Sequence, residues 1–167
     1  MTRSISIALV SGAMLFSTSA AWGQQKFQKR QLVGYWTFVS AESVSKDGTR
    51  SPLVEGSHLR GQLIIDEKRF SYLVIADYPK VASGDPLKTT PEESKAAARG
   101  TRAYYGTYSL NEADGTLTLH IERSSFPNQN GGTFKRVIRK LTAGELVYVD
   151  PAAAEGRVDT HVWKRGK

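Results

Sequence analysis

The sequence predicts an all-β protein: an eight-stranded antiparallel up-and-down β-barrel with one short helix inserted at about residues 91–99. Three observations point there. Short runs rich in β-branched and aromatic residues recur at close spacing, each bounded by Gly, Pro, Asn or Asp. Several of them alternate with period two; in Thr116–Ser124, Leu117, Leu119 and Ile121 share one face and Thr118, His120, Glu122 and Ser124 the other. The runs are joined by tight turns, and closing such a meander into a barrel removes its exposed edges. A two-sheet sandwich is the competing arrangement of the same strands.

The N-terminus is expected to be processed rather than folded. Arg3 precedes a mainly apolar run, Ile5 to Phe16, and then small residues, Ser17 to Ala21, which is the layout of a secretory signal peptide. Ala21-Trp22-Gly23 places the expected cut before Gln24, dividing the chain into a signal peptide, 1–23, and one domain, 24–167. The apolar run falls short of the roughly 20 residues needed to cross a bilayer, so no stable membrane span is expected. The mature protein is expected to be exported, periplasmic or secreted.

Losing Arg3 lowers the formal charge from +7 to +6. The basic residues are scattered in short groups, such as Lys135, Arg136, Arg139 and Lys140, which reads as a soluble surface rather than a nucleic-acid site. Cysteine is absent, so the domain has no disulfide staple, thiolate metal site or Cys nucleophile.

In chain order, Gln24 to Leu32 reads as a lead-in with a turn of helix, and Leu32 to Ala41 as the first strand, with Trp36, Phe38 and Ser40 on one face. Ser45 to Ser57, with its Asp47-Gly48 and Ser51-Pro52, is a loop. Gly61 to Asp66 and Arg69 to Ala76 form a hairpin. Thr90-Pro91-Glu92-Glu93 begins a helix: Thr90 caps it, Pro91 takes the first position, Glu93 closes a capping box and Gly100 stops it. Nine residues do not hold a helix alone in water, so this one must dock as a plug or a lid. Ala103 to Leu110 and Thr116 to Ser124 form the central hairpin. Thr133 to Leu141, Glu145 to Val149 and Arg157 to Lys164 complete the eight strands.

The opening Gly34-Tyr35-Trp36 resembles the Gly-x-Trp of lipocalins. The longer run Tyr78 to Gly131 resembles the bacterial and fungal lipocalin-like domain family, through Tyr78-Pro79-Lys80, Thr90-Pro91-Glu92-Glu93, Gly106-Thr107-Tyr108 and His120-Ile121-Glu122 with Ser124-Ser125-Phe126-Pro127-Asn128. The closing Val162-Trp163-Lys164-Arg165 is similar too, so the resemblance spans Leu32 to Arg165. Gln129 stands where that family's pattern has Trp, and Arg123 where Gly is common. The resemblance implies a calycin-type barrel for small, largely apolar molecules, without implying one activity.

The site expected inside this barrel has three parts. Trp36 and Phe38 close one end, and Tyr72, Tyr104 and Tyr108 line the cavity with rings that carry a polar tip. His120, Glu122 and Arg136 give polar selectivity. His120 and Glu122 leave the backbone roughly 6.6 Å apart on one strand face, near enough to address one ligand. Arg136 shares its face with Phe134 and Ile138; if it points inward, Glu122 is the expected partner, and if not, Lys135 and Arg139 face the lumen.

No nucleophile elbow, phosphate loop or dinucleotide fingerprint occurs, and His58 and His161 lack metal-like neighbours, so no cofactor or metal is expected. The expected partner is a small apolar or amphipathic ligand. Two other readings stand beside that one. An isomerase or cyclase would use His120 and Glu122 for proton transfer; an envelope structural protein would have a filled interior.

Overall fold

The computed structural model describes residues 27–166. The expected signal peptide, 1–23, lies outside the described residues. Nine strands form one sheet: β1 (Gly34–Val44), β2 (Arg50–Ser51), β3 (Ser57–Ile65), β4 (Arg69–Asp77), β5 (Thr101–Asn111), β6 (Thr116–Ser124), β7 (Thr133–Leu141), β8 (Glu145–Asp150) and β9 (Val158–Arg165). The two-residue β2 pairs only with the end of β1. The other eight follow one another antiparallel, and β9 returns to β1, so the sheet closes. The predicted barrel is therefore the observed one, and the sandwich is not.

The barrel has a closed end and a mouth. The closed end holds the start of β1, the β3–β4 and β5–β6 turns, and helix α1 (Lys29–Leu32). There Trp36 is fully buried, and its Nε1 donates to the Leu32 carbonyl at 2.8 Å. The Arg165 guanidinium lies 4.1 Å over the Trp36 ring and donates to the carbonyls of Ala143, Val33 and Gln31 at 2.7, 2.9 and 2.6 Å. One arginine thus ties the last strand, the β7–β8 turn and the entry helix onto one indole. Phe27 packs over Gly115, where φ is +73° and a Cβ would sit 2.5 Å from the Phe27 ring.

Above that floor, Leu63, Ile65, Phe70, Leu117, Leu119, Leu146 and Ile138 fill the lumen. A void of only about 10 Å³ is left among them. The lower half of the barrel is a packed core, so the open space inside the barrel lies toward its mouth. Small barrels fill in this way because side chains from eight strands converge on one axis.

Bulges set which residues face inward. One at Val39 in β1 turns Ser40 outward and brings Ala41 and Ser43 in. One at Glu122 in β6 follows Ile121, so Tyr104 pairs with Ser124 and Gly106 with Ile121. Gly106 is required there: a Cβ would fall 1.9 Å from the His120 carbonyl oxygen. A third bulge interrupts the β7–β8 register at Arg139.

Helix α2 (Pro91–Arg99) forms as the sequence predicts, with the Thr90 and Glu93 side chains capping each other's backbone N–H. It flanks the mouth and buries none of its nine residues. It is moored at its C-terminal end, where Ala76 N donates to Gly100 O at 2.8 Å and Arg99 meets Glu55 at 3.0 Å.

Candidate functional site

The charged part of the lumen lies at the mouth, where β7, β8 and β9 each present alternate residues inward. The register stacks them in tiers: Leu146 opposite Trp163, Tyr148 opposite His161, Asp150 opposite Asp159. Arg136 arrives from β7 between Phe134 and Ile138. Its Nη1 contacts Asp150 Oδ2 at 2.6 Å, and both side chains are nearly buried. Asp150 Oδ1 also accepts from Ala152 N at 3.2 Å. Asp159 accepts from Ser43 Oγ at 2.5 Å, and Arg102 faces its other oxygen at 3.7 Å, an ion pair without a hydrogen bond.

Beneath the ions lies an aromatic tier. Tyr72 and Tyr104 stack with centroids 4.4 Å apart, Tyr148 stacks on His161 at 4.8 Å, and Trp163 meets Tyr72 edge-on at 5.5 Å. Burial raises the Tyr72 and Tyr148 phenols well above the ordinary value of 10.0, so both stay neutral. Burial, followed by the charges of Arg136 and Arg102, pushes the His161 imidazole well below 6.5. Burial opposes the Arg136 charge, but Tyr104 and Asp150 outweigh it and raise its pKa. Neutral Tyr72, Tyr148 and His161 thus lie beneath the Arg136–Asp150 pair. Among the described residues, Tyr72 Oη, His161 Nδ1 and Arg136 Nε are buried without a hydrogen-bond partner.

Above these tiers opens a cavity of about 310 Å³, lined by Arg102, Tyr104, Asn128, Gln129, Gly132, Phe134, Arg136, Asp150, Ala152–Ala154 and Asp159. Its walls are half aromatic and aliphatic, half polar. It lies at the small end of the roughly 300–1,000 Å³ common for ligand pockets.

A neutral buried His161 makes acid destabilising. The unfolded chain binds a proton at this imidazole below the ordinary value of 6.5, and the folded chain does not. Stability should therefore fall by about 1.4 kcal/mol per pH unit below 6.5, for as long as folded His161 stays neutral. Urea titrations at pH 7.5 and 5.0 should show this slope in the parent and lose it in His161→Phe, which keeps a ring against Tyr148. An equal slope in the variant would refute the assignment.

The structure places the sequence-predicted residues as follows. Tyr104 and Arg136 line the cavity, and Tyr72 lies one tier below it. Phe38 packs edge-on against Trp163 at 5.4 Å. Trp36 sits at the opposite, closed end, as does Tyr108, whose hydroxyl donates to the Asp66 carbonyl at 2.7 Å.

His120 and Glu122 are a correction: both point outside the barrel. His120 is exposed, with Nδ1 3.3 Å from Thr133 Oγ1, and Glu122 accepts from Arg69 Nη2 at 2.6 Å. On the inward face of the same strand, Leu117, Leu119 and Ile121 are buried without the desolvation cost of an ionised pair. Arg136 does point inward, but its carboxylate partner is Asp150 and not Glu122; Lys135 and Arg139 face out.

Reasoning from sequence missed Ser43, Arg102, Tyr148, Asp150, Asp159 and His161. The period of two that marks Trp163 as buried also selects His161 and Asp159, and the same count in β8 runs Leu146, Tyr148, Asp150. That signal was present in the sequence.

A family model described as a lipocalin-like domain matches residues 33–165. A lipocalin-like protein from Bacteroides uniformis is similar in structure at 14% identity and a TM-score of 0.43, over 81% of this chain and 99% of that one. The redesigned β-barrel mFAP1, solved with DFHBI bound, is similar at 14% identity and a TM-score of 0.40, over 82% of this chain and 97% of that one. A de novo fluorescence-activating barrel aligns at 10% identity and a TM-score of 0.42, over 83% of this chain and 96% of that one. No curated protein matches.

Proposed function

This chain belongs to the lipocalin-like domain family, and from that premise we propose that it is an exported protein binding a small amphipathic molecule at the mouth of its barrel. The observation that carries this reading is the cavity of about 310 Å³ above a packed lower barrel. A guest enters only to the depth of the ion pairs. Its apolar part rests on Tyr104, Phe134 and the Ala152–Ala154 segment, and its polar part meets the arginines and aspartates. The mainly apolar ligand expected from the sequence thus acquires a polar end. Export rests on the signal-like N-terminus alone.

The isomerase or cyclase reading was built on His120 and Glu122, and their outward orientation removes its premise. The filled-interior reading describes the lower barrel and fails to account for the mouth.

The test is native mass spectrometry on protein purified without denaturation, beside an Ala153→Trp variant whose indole would occupy the cavity. The parent should carry a small-molecule adduct that is released on unfolding, and the variant should lack it. Glu122→Gln should carry the same adduct as the parent. An adduct retained by Ala153→Trp would place the guest elsewhere and defeat the proposal.

A further inference from the structure

We infer that the polar end of the guest is a singly charged carboxylate, held between Arg102 and Arg136. This rests on the binding reading above and goes further, to the chemical class of the ligand. It follows from counting donors and acceptors at the cavity floor. The acceptors are largely occupied: Asp150 takes Arg136 on one oxygen and Ala152 N on the other, and Asp159 takes Ser43 Oγ.

The donors are not. A guanidinium offers five N–H groups. Arg136 places Nη1 on Asp150 and on the Lys135 carbonyl at 3.0 Å and shares a side-chain hydrogen bond with Tyr104, while its Nε has no partner among the described residues. Arg136 is 6% exposed and lines the cavity. Among the described residues Arg102 makes no side-chain hydrogen bond, and its ion pair with Asp159 is at 3.7 Å. Both guanidiniums line the same cavity. A buried donor left unmade is costly, and a group that brings acceptors without donors relieves the most of them.

An ionised carboxylate is such a group, and its two oxygens suit the planar fork of a guanidinium. The two aspartates limit the charge. With Asp150 and Asp159 in the same cavity, a dianionic phosphate would meet two like charges where a carboxylate brings only one of its own. An alcohol supplies a donor the site does not need. The aromatic wall of Tyr104 and Phe134 then takes the remainder of a flat or chain-like organic acid.

The experiment is isothermal titration of the full chain with three matched pairs: 1-naphthoate and 1-naphthalenemethanol, cinnamate and cinnamyl alcohol, decanoate and decanol. Benzoate and phenyl phosphate form a further arm. At least one acid should bind tenfold or more tightly than its alcohol, and benzoate more tightly than phenyl phosphate. Arg102→Gln, at a partly buried position, should bring the favoured acid to within threefold of its alcohol. Arg136→Met with Asp150→Leu, which removes a whole ion pair, should do the same.

Equal affinity within every pair would overturn the carboxylate and leave the small-molecule reading standing. Preference for phenyl phosphate would overturn the single charge. An adduct identified by mass as neutral or cationic would also overturn the inference. Absence of both an adduct and any binding would overturn the inference together with the reading beneath it.

Discussion

Arg136→Met should destabilise the fold by about 3–5 kcal/mol, read from urea unfolding at neutral pH. The methionine fills much of the space, so lost packing is not the main effect. What remains is Asp150, its side chain 13% exposed, holding only the Ala152 N–H at 3.2 Å. A carboxylate out of water without its cation is one of the costliest single defects a fold can carry. Asp150→Leu should destabilise for the mirror-image reason, leaving the Arg136 charge between Tyr104 and Phe134.

The double variant should recover most of either loss, because an apolar pair of similar volume is often as stable as a buried ion pair. The double-mutant cycle should therefore be strongly non-additive. Additive losses would show that the two side chains do not depend on each other. The recovered fold would also separate stability from binding: the pair is dispensable to the barrel, yet its guanidinium is needed at the cavity floor.

The sequence carried some of this structure locally and some not at all. Helix α2 was legible because its signals sit within a dozen residues: Thr90, Pro91, Glu93 and Gly100 each satisfy or end the backbone where they stand. The barrel was legible because eight alternating runs with tight turns have few other ways to bury one face each. The orientation of β6 was not. Alternation shows that His120 and Glu122 share a face, and it is silent on whether that face is inside.

That choice is made by the neighbours. Leu119 pairs with Phe134 and Leu117 with Arg136, so the aliphatic face meets the inward residues of β7. The same register explains the wrong partner for Arg136. On β6 it faces Leu117, five residues from Glu122, while across β7–β8 the register carries it to Asp150. Bulges hide from pattern reading as well. The one at Val39 sends Ser40 outward and Ser43 inward to Asp159, and nothing within Ser40–Ser43 announces it. Gly106 was the one local hint, since a strand glycine often marks a bulge on its partner.

Trp36→Ala should cost about 3–5 kcal/mol, comparable to Arg136→Met and from the opposite end of the barrel. The indole is fully buried, and its loss removes three things: the volume beneath the packed lower core, the bond from Nε1 to Leu32 O at 2.8 Å, and the surface on which Arg165 lies at 4.1 Å. Graded replacements should separate them. Trp36→Phe keeps a ring and loses the hydrogen bond, which is worth about 1 kcal/mol beyond the change in packing. Arg165→Lys keeps a charge over the ring, but one ammonium cannot reproduce a planar fork spanning the carbonyls of Gln31, Val33 and Ala143.

None of these closed-end changes should alter affinity at the mouth in the fraction that remains folded, because the filled layer of Leu63, Leu117 and Leu119 lies between. Unfolding curves and ligand titrations on the same samples would check both halves. A Trp36→Ala variant as stable as the parent would remove the indole from the foundations of the fold. One that stays folded but binds tenfold more weakly would show the barrel's two ends to be coupled through a core that should keep them apart.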